Sequence, residues 1–443
     1  MLLSVEITCK LNSEQANYIG HMNYAAYKLW NACNYERKNW KALGLPRFPD
    51  WYAQKASHKD DLWFKNLPSQ TAQEVCKVLD KAWKSYFALL SSHGIANPRP
   101  PRFKSEGIRI TYMQNGMRHD GDIIRLTLSK HLKEHMKQNY GLDCKFLYLK
   151  HDSFKRFSNI KQLHVYPPEN GVSRMIVVYE IPDIGMLPDN GHYLAIDLGI
   201  RNPLTCLDSI GCDSFIVGRG FAALCRKYDK EIGRVQGVWY EKQAARGVKH
   251  PATSGHIQQL YVQRRDAVSN FLHQMTAYVA AYCTKHHVCA VIIGDITGIR
   301  NGFDKGHILN GKMHSFPYAR IMAMLEYKLR MHGIRLIRIN EAYSSSCSPL
   351  SPSVGKEHAK PAQRKFRGLY VENGKVWNAD SVGAYNILRL YLQKTGRPDR
   401  IAGEMSANGL SSPKIVRLIP YKEKYRRSRK AAVGACEPPA IRR

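Results

Sequence analysis

The chain has 443 residues, of which 44% are hydrophobic and 10% aromatic, so it can build two or three globular domains and is not disordered throughout. Its 67 Lys and Arg residues against 36 Asp and Glu residues leave a formal net charge of +31, which predicts a long nucleic acid as a partner. The alternative is a basic protein that is merely soluble or is drawn to an anionic membrane surface.

The first part of the chain reads as a strand, then helices, then strands. Apolar spacing predicts a strand over residues 2–9, a helix capped by Asn12 or Ser13, and a helix over residues 69–90 after Pro68. The sequence NPRPPRFK at 97–104 is too rich in proline for a helix and predicts an extended basic connector. Alternating runs predict five strands, at residues 108–112, 123–128, 145–149, 162–166 and 175–181. Together these segments predict one composite domain that ends near Pro188.

The next part alternates strands and helices. Strands are predicted at residues 193–197, 288–293 and 334–339, with residues 204–207 as a possible hairpin partner of the first. Helices are predicted at residues 222–247, 254–286, 315–332 and 378–393. This order fits an α/β RNase H-like layer that is interrupted by an insertion. The tail at 414–443 has ten Lys or Arg against two Glu, and we expect it to be ordered only on RNA, if at all.

Two aspartates stand where such a layer could use them. Asp197 ends an apolar strand in YLAIDLGIRNP, and Asp380 lies in the first turn of the last helix in NADSVGAYNI, with Asn378 as its cap. Nucleases that use two metal ions need several carboxylates around divalent cations, and magnesium prefers such oxygen ligands. Taken singly, each residue is more often structural, because a strand-end Asp shapes turns and an Asp in a first helical turn complements the helix dipole.

The two motifs together resemble the first and third RuvC motifs of the TnpB family, whose relatives include the type V CRISPR effectors. The segments LPSQTAQEVCKVLDKAWKSYF, PRPPRFKS and YVQRRDAVSNFLHQMT are also similar to that family, so the resemblance extends to about Leu392. It implies an α+β multidomain fold, in which a strand-rich wedge domain with a helical recognition insertion is followed by an α/β RNase H-like (RuvC) nuclease domain. It also implies a guide RNA and target double-stranded DNA as partners, a short protein-read DNA motif, and cleavage with two Mg²⁺ ions, with Mn²⁺ as a possible substitute.

The second RuvC motif departs from the family. Most members end this strand in a Glu, but VIIGDITGIR has Gly294 at that position. Three interpretations remain open: Asp295 serves as the acid, the site is inactive, or the acid comes from Glu341 in INEAYSSSC. We favour Glu341, because one branch of the family is known to carry its second acid there. The catalytic and metal-binding residues are then Asp197, Glu341 and Asp380, and Asp295 is a residue that supports the ligands or forms the turn.

A second departure concerns zinc. The family often has two Cys-x-x-Cys pairs between the second and third motifs, and a structural zinc needs about four ligands. This chain offers only Cys347, with His358 as the nearest other soft ligand, so no structural zinc is expected. The loop at 348–367 must instead be held by packing or by nucleic acid.

Basic and amide residues on these segments are the candidate nucleic-acid contacts. The polar side of the helix at 69–90 would lie near the duplex beside the target, because amides can read adenine edges. The connector, the helix at 261–276 and the loop at 348–367 supply cations for a heteroduplex, although a solvated basic surface explains such residues equally well. The candidates are Gln70, Gln73, Lys77, Arg102, Lys104, Arg264, Arg265, Arg364, Lys365 and Arg367.

The resemblance implies five regions. Residues 1–12 and 96–188 would form the wedge domain, 13–95 the recognition domain, 189–345 and 376–400 the RuvC domain, 346–375 a degenerate zinc finger or target-loading loop, and 401–443 a basic tail. No apolar run reaches the roughly 20 residues of a membrane span, no secretory signal is apparent, and the eleven cysteines read as reduced thiols. We therefore expect a prokaryotic cytoplasmic, nucleoid-associated protein.

Three functions compete. The first is an RNA-guided DNA endonuclease, acting as a monomer on one guide RNA that is encoded by a transposon or a CRISPR array. The second is a nuclease-dead, RNA-guided repressor, which Gly294 motivates. The third is a DNA-only transposase or resolvase, because RNase H-like layers serve those reactions too.

Overall fold

The computed structural model describes residues 1–92, 96–211, 213–295, 315–364, 366, 368–398 and 407–419. The chain forms two compact units, Met1–Asp183 and Ile184–Arg443. Among the described residues, none of the helices combines the length and hydropathy of a membrane-spanning segment.

The first unit contains two antiparallel sheets. A four-stranded sheet has the order β1-β7-β6-β2, and a three-stranded sheet has the order β3-β4-β5. The strands are β1 Leu2–Lys10, β2 Ile110–Met113, β3 Met117–Asp120, β4 Ile123–Thr127, β5 Phe146–Lys150, β6 Ile160–Val165 and β7 Val172–Glu180. Strand β1 pairs along its whole length with β7, from Leu2 opposite Glu180 to Lys10 opposite Val172. The chain therefore returns to its first strand after the intervening helices.

The helices of this unit are α1 Ser13–Lys38, α2 Trp51–Ser57, α3 Leu62–Lys65, α4 Ser69–Ser92 and α5 Lys130–Tyr140. The predicted cap of α1 is confirmed at Asn12, which forms a capping box: Asn12 Oδ1 accepts from the Gln15 N–H at 2.7 Å, and Gln15 Oε1 accepts from the Asn12 N–H at 2.8 Å. Helices α1 and α4 share a buried ion pair between Arg37 and Asp80 at 2.9 Å.

Residues 97–104 contain no helix or strand, as predicted for the basic connector. Side chains of α1 hold its backbone in place. Trp30 Nε1 donates to the Arg102 carbonyl at 3.2 Å, Asn31 Nδ2 donates to the Lys104 carbonyl at 2.8 Å, and Asn34 Nδ2 donates to the Pro101 carbonyl at 3.0 Å. The connector is thus fixed through its peptide groups, and its Arg102 and Lys104 side chains are exposed, with Lys104 Nζ 5.1 Å from the centre of the Trp30 ring.

The second unit has a mixed six-stranded sheet with the order β12-β11-β8-β9-β10-β15. Its strands are β8 Tyr193–Asp197, β9 Leu204–Asp208, β10 Ser214–Val217, β11 Ala290–Asp295, β12 Arg335–Asn340 and β15 Lys414–Val416. Strands β8, β11 and β12 are parallel to one another, whereas β9 is antiparallel to both of its neighbours. An antiparallel hairpin followed by parallel strands is the predicted RNase H-like layer, and this fold class is confirmed.

Helices cover both faces of this sheet. They are α6 Phe221–Ala244, α7 Gly255–Lys285, α8 Tyr318–Arg330, α9 Ala379–Lys394 and α10 Ala407–Ser411, and a hairpin of β13 Leu369–Glu372 and β14 Lys375–Asn378 precedes α9. Leu194 and Ile196 of β8 pack in one core cluster with residues of α7 and α8. Tyr193 and Ala195, which alternate with them, pack in another cluster with α9. Because side chains alternate along a strand, Asp197 follows Tyr193 and Ala195 onto the α9 face.

Candidate functional site

The acidic residues singled out in the sequence gather at one edge of the second unit's sheet. Asp197 is the last residue of β8, and Glu341 directly follows β12. Strand β11 lies between these two strands, with Ile293 opposite Ile196 and Gly294 opposite Ile339. Since the three strands are parallel, their carboxyl ends meet at the same edge, and Asp197, Gly294 and Glu341 lie on adjacent strands.

Glu341 occupies the place that a side chain at position 294 would take. A Cβ built on Gly294 would stand 3.1 Å from Glu341 Cδ and 3.2 Å from Glu341 Cβ. Because side chains alternate along a strand, Gly294 of β11 faces the same side of the sheet as Ile292, and Glu341 after β12 faces the same side as Ile339. Ile292 and Ile339 belong to one core cluster, so Gly294 and Glu341 share a face. The structure therefore brings the carboxylate of Glu341 to the position where the usual family acid is missing.

Helix α9 brings Asp380 to this edge. Asn378 begins the helix as predicted, because its Oδ1 accepts from the N–H groups of Asp380 and Ser381, each at 3.1 Å. One turn later, a Cβ built on Gly383 would stand 2.9 Å from Asp197 Oδ2, so only a residue without a side chain lets the helix approach β8 this closely. Asp380 and Gly383 are three residues apart and share one face of the helix.

Two neighbours hold the Asp380 carboxylate. Asn202 Nδ2 donates to Asp380 Oδ2 at 2.7 Å, and Arg364 Nη2 lies 3.9 Å from Asp380 Oδ1. Asn202 was not identified from the sequence, although it stands in the quoted DLGIRNP motif. Arg364 was predicted as a nucleic-acid contact, and the structure places it beside this acid.

Burial and the negative charges of neighbouring acids raise the pKa values of Asp197 and Glu341. Burial, followed by the negative charges of Asp380 and Glu341, raises the pKa of Asp197 to about 8, although Arg364 and a hydrogen bond from the Leu198 N–H oppose the shift. Burial and the charge of Asp295 raise the pKa of Glu341. The site therefore gathers carboxyl groups whose ionised forms repel one another and which Arg364 offsets only in part, a situation typical of carboxylates that bind cations.

The donor set fits a hard divalent cation. Glu341 Oε2 is buried and has no hydrogen-bond partner among the described residues, and the other donors are also carboxylate oxygens, which Mg²⁺ prefers. Within the described part of the chain, however, no three His, Cys, Asp or Glu side chains already meet as a closed metal-binding cluster. The fit to a divalent cation thus rests on the carboxylate oxygens and on the repulsion between the ionised acids. Asp295 ends β11 with an exposed side chain, so its charge reaches Glu341 from the rim.

A cavity of about 490 Å³ opens beside Asp380. Arg201, Arg219 and Arg364 line it together with Asn202 and Asn378. The cavity therefore contains guanidinium groups together with the Asp380 carboxylate, and such groups can bind phosphate oxygens with two parallel hydrogen bonds. Arg201 and Arg219 were not identified from the sequence, although Arg201 stands in the quoted DLGIRNP motif; nothing in the sequence distinguishes Arg219 from the many other cations.

The loop after β12 is held by polar side chains. Glu372 accepts from the Ser348 hydroxyl and from Lys360 Nζ, the latter at 2.7 Å. Asn386 Nδ2 donates to the carbonyls of Ser344 at 2.7 Å and Cys347 at 2.9 Å. These contacts tie the loop to the β13–β14 hairpin and to α9. The Cys347 thiol is buried and donates to the Gly355 carbonyl at 3.2 Å.

Most of the other predicted nucleic-acid residues make contacts within their own unit. On α4, the Gln73 amide contacts Ser69 at 3.2 Å, and Lys77 contacts Glu74 at 2.7 Å while lying over the Trp51 ring. Arg264 pairs with Asp229 and Arg265 with Asp266 on the helices of the second unit. Three further candidates belong to other segments of the first unit: Gln70 on α4, with a buried, unpaired side-chain oxygen, and Arg102 and Lys104 in the connector. Lys365 and Arg367 lie outside the described residues.

Comparisons with known proteins concern the same segments. Residues 176–300 match the family model described as a probable transposase, OrfB_IS605, and residues 318–387 match that of the Cas12f1-like TNB domain. A search of curated proteins found no significant match.

Among solved structures, a Cas12f1–sgRNA–target DNA complex is 14% identical, with 85% of this chain and 82% of that chain covered and a TM-score of 0.48. The mini-RNA-guided endonuclease Cas_phi3 is 9% identical, with 88% and 92% covered and a TM-score of 0.45. TM-scores below 0.5 establish neither activity nor partners. The two family models, which between them include Asp197, Glu341 and Asp380, identify the chain as a relative of the TnpB transposases and the Cas12f1-like proteins, as its sequence motifs predicted.

Proposed function

We propose that the protein is an RNA-guided DNA endonuclease that cleaves phosphodiester bonds at the edge formed by Asp197, Glu341 and Asp380. The observation that carries this proposal is the position of Glu341 in the space beside Gly294. Without Glu341, the exposed Asp295 would be the remaining candidate acid beside this strand. The family relationship supports the choice of a guided nuclease over an unrelated RNase H-like enzyme.

Asp197, Glu341 and Asp380 are the residues that would hold the divalent cations, Mg²⁺ or Mn²⁺. When bound, such ions activate a water molecule and stabilise the charge of the leaving oxygen. The carboxylates must be ionised to bind, so Asp197, whose pKa is raised to about 8, gives up its proton on loading. Asn202 fixes the Asp380 carboxylate through its amide, which leaves the second oxygen, beside Arg364, directed to the cavity.

The arginine-lined cavity would bind the DNA strand that is cut. Arg201, Arg219 and Arg364 would contact phosphates on either side of the reacting bond, and their positive charge offsets the approach of a polyanion to the acidic edge. A guide RNA and target double-stranded DNA are the proposed partners, with one protein molecule on each guide. The net charge of +31 suits this load of nucleic acid.

The test is guided cleavage by protein expressed with its flanking locus, after sequencing the RNA that co-purifies. We expect Glu341→Ala to lose cleavage by on the order of a hundredfold or more while guided DNA binding stays near wild type, because metal ligands serve the reaction and not base pairing. Asp295→Ala should reduce cleavage less. Glu326→Ala, which removes an exposed acid of α8 paired with Arg338, is the control and should cut normally.

Each alternative has its own outcome. Wild-type protein that binds guided DNA but never cuts it with Mg²⁺ or Mn²⁺ would be a repressor, and Gly294 alone no longer motivates that function. A Glu341→Ala variant that cuts normally would disprove the assignment of this residue. Protein that purifies without any specific RNA and still cuts or joins DNA would be a DNA-only recombinase.

A further inference from the structure

A second cavity, of about 610 Å³, lies at the other edge of the sheet in the second unit. Strands β8 and β10 are both antiparallel to β9 and therefore parallel to each other. Asp197 stands at the end of β8, whereas the cavity is lined by Ser214 and Phe215 at the beginning of β10. The cavity thus lies towards the opposite strand ends from Asp197 and contains none of the three acids, although Ser412 lines both this cavity and the one beside Asp380.

Aromatic rings form one wall of this cavity. Tyr278, Tyr282 and His286 are four residues apart along α7 and its C-terminal cap, so they line one face of the helix. The rings of Tyr282 and His286 are stacked with centroids 4.2 Å apart, and the Phe215 ring lies 4.6 Å from Tyr282. Tyr278 is 37% exposed and offers ring surface to a ligand.

Hydrogen bonds inside the protein fix the ring of Tyr282. Tyr282 OH donates to Asp208 Oδ2 at 2.8 Å, and Asp208 Oδ1 lies 2.6 Å from His192 Nε2. Asp208 is 3% exposed, so this chain of hydrogen bonds lies inside the protein. It holds the Tyr282 ring at one angle and thereby fixes the stacked pair that it forms with His286.

Cations and small polar groups complete the cavity. Lys285 is the last residue of α7 and Lys414 the first of β15, and both have exposed side chains. Ser412 and Asp213 also line it. Aromatic rings can stack on the flat face of a nucleotide base, and ammonium groups can bind its phosphate, so this combination of side chains suits a nucleotide. The volume falls within the range of small-molecule sites.

We propose that this cavity binds one unpaired nucleotide of a single-stranded nucleic acid, with the base against Tyr278 and the His286–Tyr282 stack and the phosphate between Lys285 and Lys414. Stacking accepts any base, so the site has little sequence preference. Asp213 can accept a hydrogen bond from a ribose 2′-hydroxyl, which favours RNA over DNA. The site does not depend on the nuclease activity.

The test is photo-crosslinking of the full-length protein, freed of nucleic acid, to tetranucleotides that contain 4-thiouridine or 4-thiothymidine, in EDTA and at about 0.3 M salt, where exposed charges are screened. We expect crosslinks to peptides containing residues 278–286 or 409–414. Tyr278→Ala should reduce this crosslinking about tenfold, and Tyr278→Phe should retain most of it, because the ring and not the hydroxyl binds the base.

Tyr240→Ala is the matched control, since Tyr240 lies on α6 and is 38% exposed. Lys285→Ala and Lys414→Ala should weaken crosslinking, and Lys242→Ala on α6 should not. Circular dichroism confirms that each variant is folded. Crosslinks confined to other peptides, or equal losses for Tyr278→Ala and Tyr240→Ala, would overturn the proposal.

Separate measurements with RNA, DNA and a free nucleotide identify the source of the bound nucleotide. Stronger crosslinking of the RNA than of the DNA tetranucleotide supports a strand of RNA, and the reverse would overturn the preference for RNA that we assign to Asp213. Uridine monophosphate that competes as well as the tetranucleotide would show that the cavity takes a free nucleotide, which would overturn the assignment to a strand. Since no cleavage is measured, a failure of the nuclease proposal would leave all of these results unchanged.

Discussion

The side chain of Glu341 fills the space that any side chain on Gly294 would need. A Cβ at position 294 would stand 3.1 Å from Glu341 Cδ. We therefore expect Gly294→Ala to displace the Glu341 carboxylate and to lower guided cleavage at least about tenfold, although the substitution removes no acid. Guided plasmid cleavage at saturating guide RNA measures this.

The control for this prediction is Gly233→Ala on α6, where a Cβ would meet nothing within 4 Å. Alanine is the better helix former, so this variant should cut normally and unfold at a slightly higher temperature. If Gly294→Ala cuts as fast as Gly233→Ala, the close approach of Glu341 has no bearing on activity.

The same relationship predicts a rescue. The variant Glu341→Gly should be inactive, and adding Gly294→Glu should restore part of the cleavage, because the new carboxylate would enter the same space from the neighbouring strand. The comparison is made between the single and the double variant, with guided DNA binding measured in parallel. A double variant no more active than Glu341→Gly, yet normal in binding, would mean that the backbone at position 294 cannot present a ligand.

The charge of Asp197 predicts how the metal-free protein responds to pH. Burial and the charges of Asp380 and Glu341 raise the pKa of Asp197 to about 8, whereas in an unfolded chain its pKa is about 3.9. Between these values the folded state holds a proton that the unfolded state has lost, so this group destabilises the fold increasingly as pH rises towards 8. In EDTA, Asp197→Asn should therefore unfold at a higher temperature than wild type at pH 8, with a smaller difference at pH 5.

Magnesium should reverse this effect in the wild-type protein. Binding favours the ionised carboxylates, so Mg²⁺ should raise the unfolding temperature of wild type more at pH 8 than at pH 6, and that of Asp197→Asn much less. Differential scanning fluorimetry with and without EDTA gives both comparisons. An unfolding temperature of Asp197→Asn that follows wild type at every pH would show that the proton is not held as we infer.

A histidine in the first unit also has a raised pKa, so its effect on stability changes with pH in the same direction as that of Asp197 but over a different range. Burial opposes the charged form of His58, but hydrogen bonds to Glu36 and Asp61 outweigh it and raise the pKa to about 9. The stability that His58 contributes is complete below its unfolded pKa of about 6.5 and is lost as pH rises through about 9. His58→Gln should therefore lower the unfolding temperature at pH 6 and have little effect near pH 10. His256→Gln, at an exposed position in the second unit, is the control, and equal effects of the two would contradict the prediction.

The loop at 348–367 should be independent of zinc. Cys347→Ser keeps a donor for the Gly355 carbonyl, so the variant should fold, and purified protein should contain far less than one zinc per chain. Asn386→Ala, by contrast, removes the donor to the buried carbonyls of Ser344 and Cys347. We expect this to lower the free energy of unfolding by about 1–3 kcal/mol per carbonyl. Elemental analysis and thermal unfolding test both statements, and about one zinc per chain would disprove the first.

The regular elements of the fold were largely readable from the sequence. Strand β8 at Tyr193–Asp197 and helix α4 at Ser69–Ser92 lie where apolar spacing placed them, since their buried residues recur with the period of one face. Helix α5 was missed because its buried residues are only Leu132 and Met136. Strands β10 and β15 were missed because they are short and form mainly by pairing with an existing edge.

For the site, single residues could be predicted but their neighbours could not. Asp197 and Asp380 follow from motifs, and Glu341 from the absence of an acid at position 294. The bond from Asn202 to Asp380 joins residues 178 positions apart, and the close approach of Gly383 to Asp197 depends on how a helix lies on a sheet. Neither leaves a local pattern. The assignment of the three acids as metal ligands itself remains a prediction for the variants above.

The space shared by positions 294 and 341 also limits how such a chain can have evolved. Acidic side chains at positions 294 and 341 would compete for one place on this backbone, so we do not expect one chain to carry both. On the proposed function, an exchange of the acid between the two strands passes through an ancestor with small residues at both positions, and such a protein would cut little or not at all. Guided binding without cutting would then be an intermediate stage in this lineage, and among its relatives the two acids should be mutually exclusive.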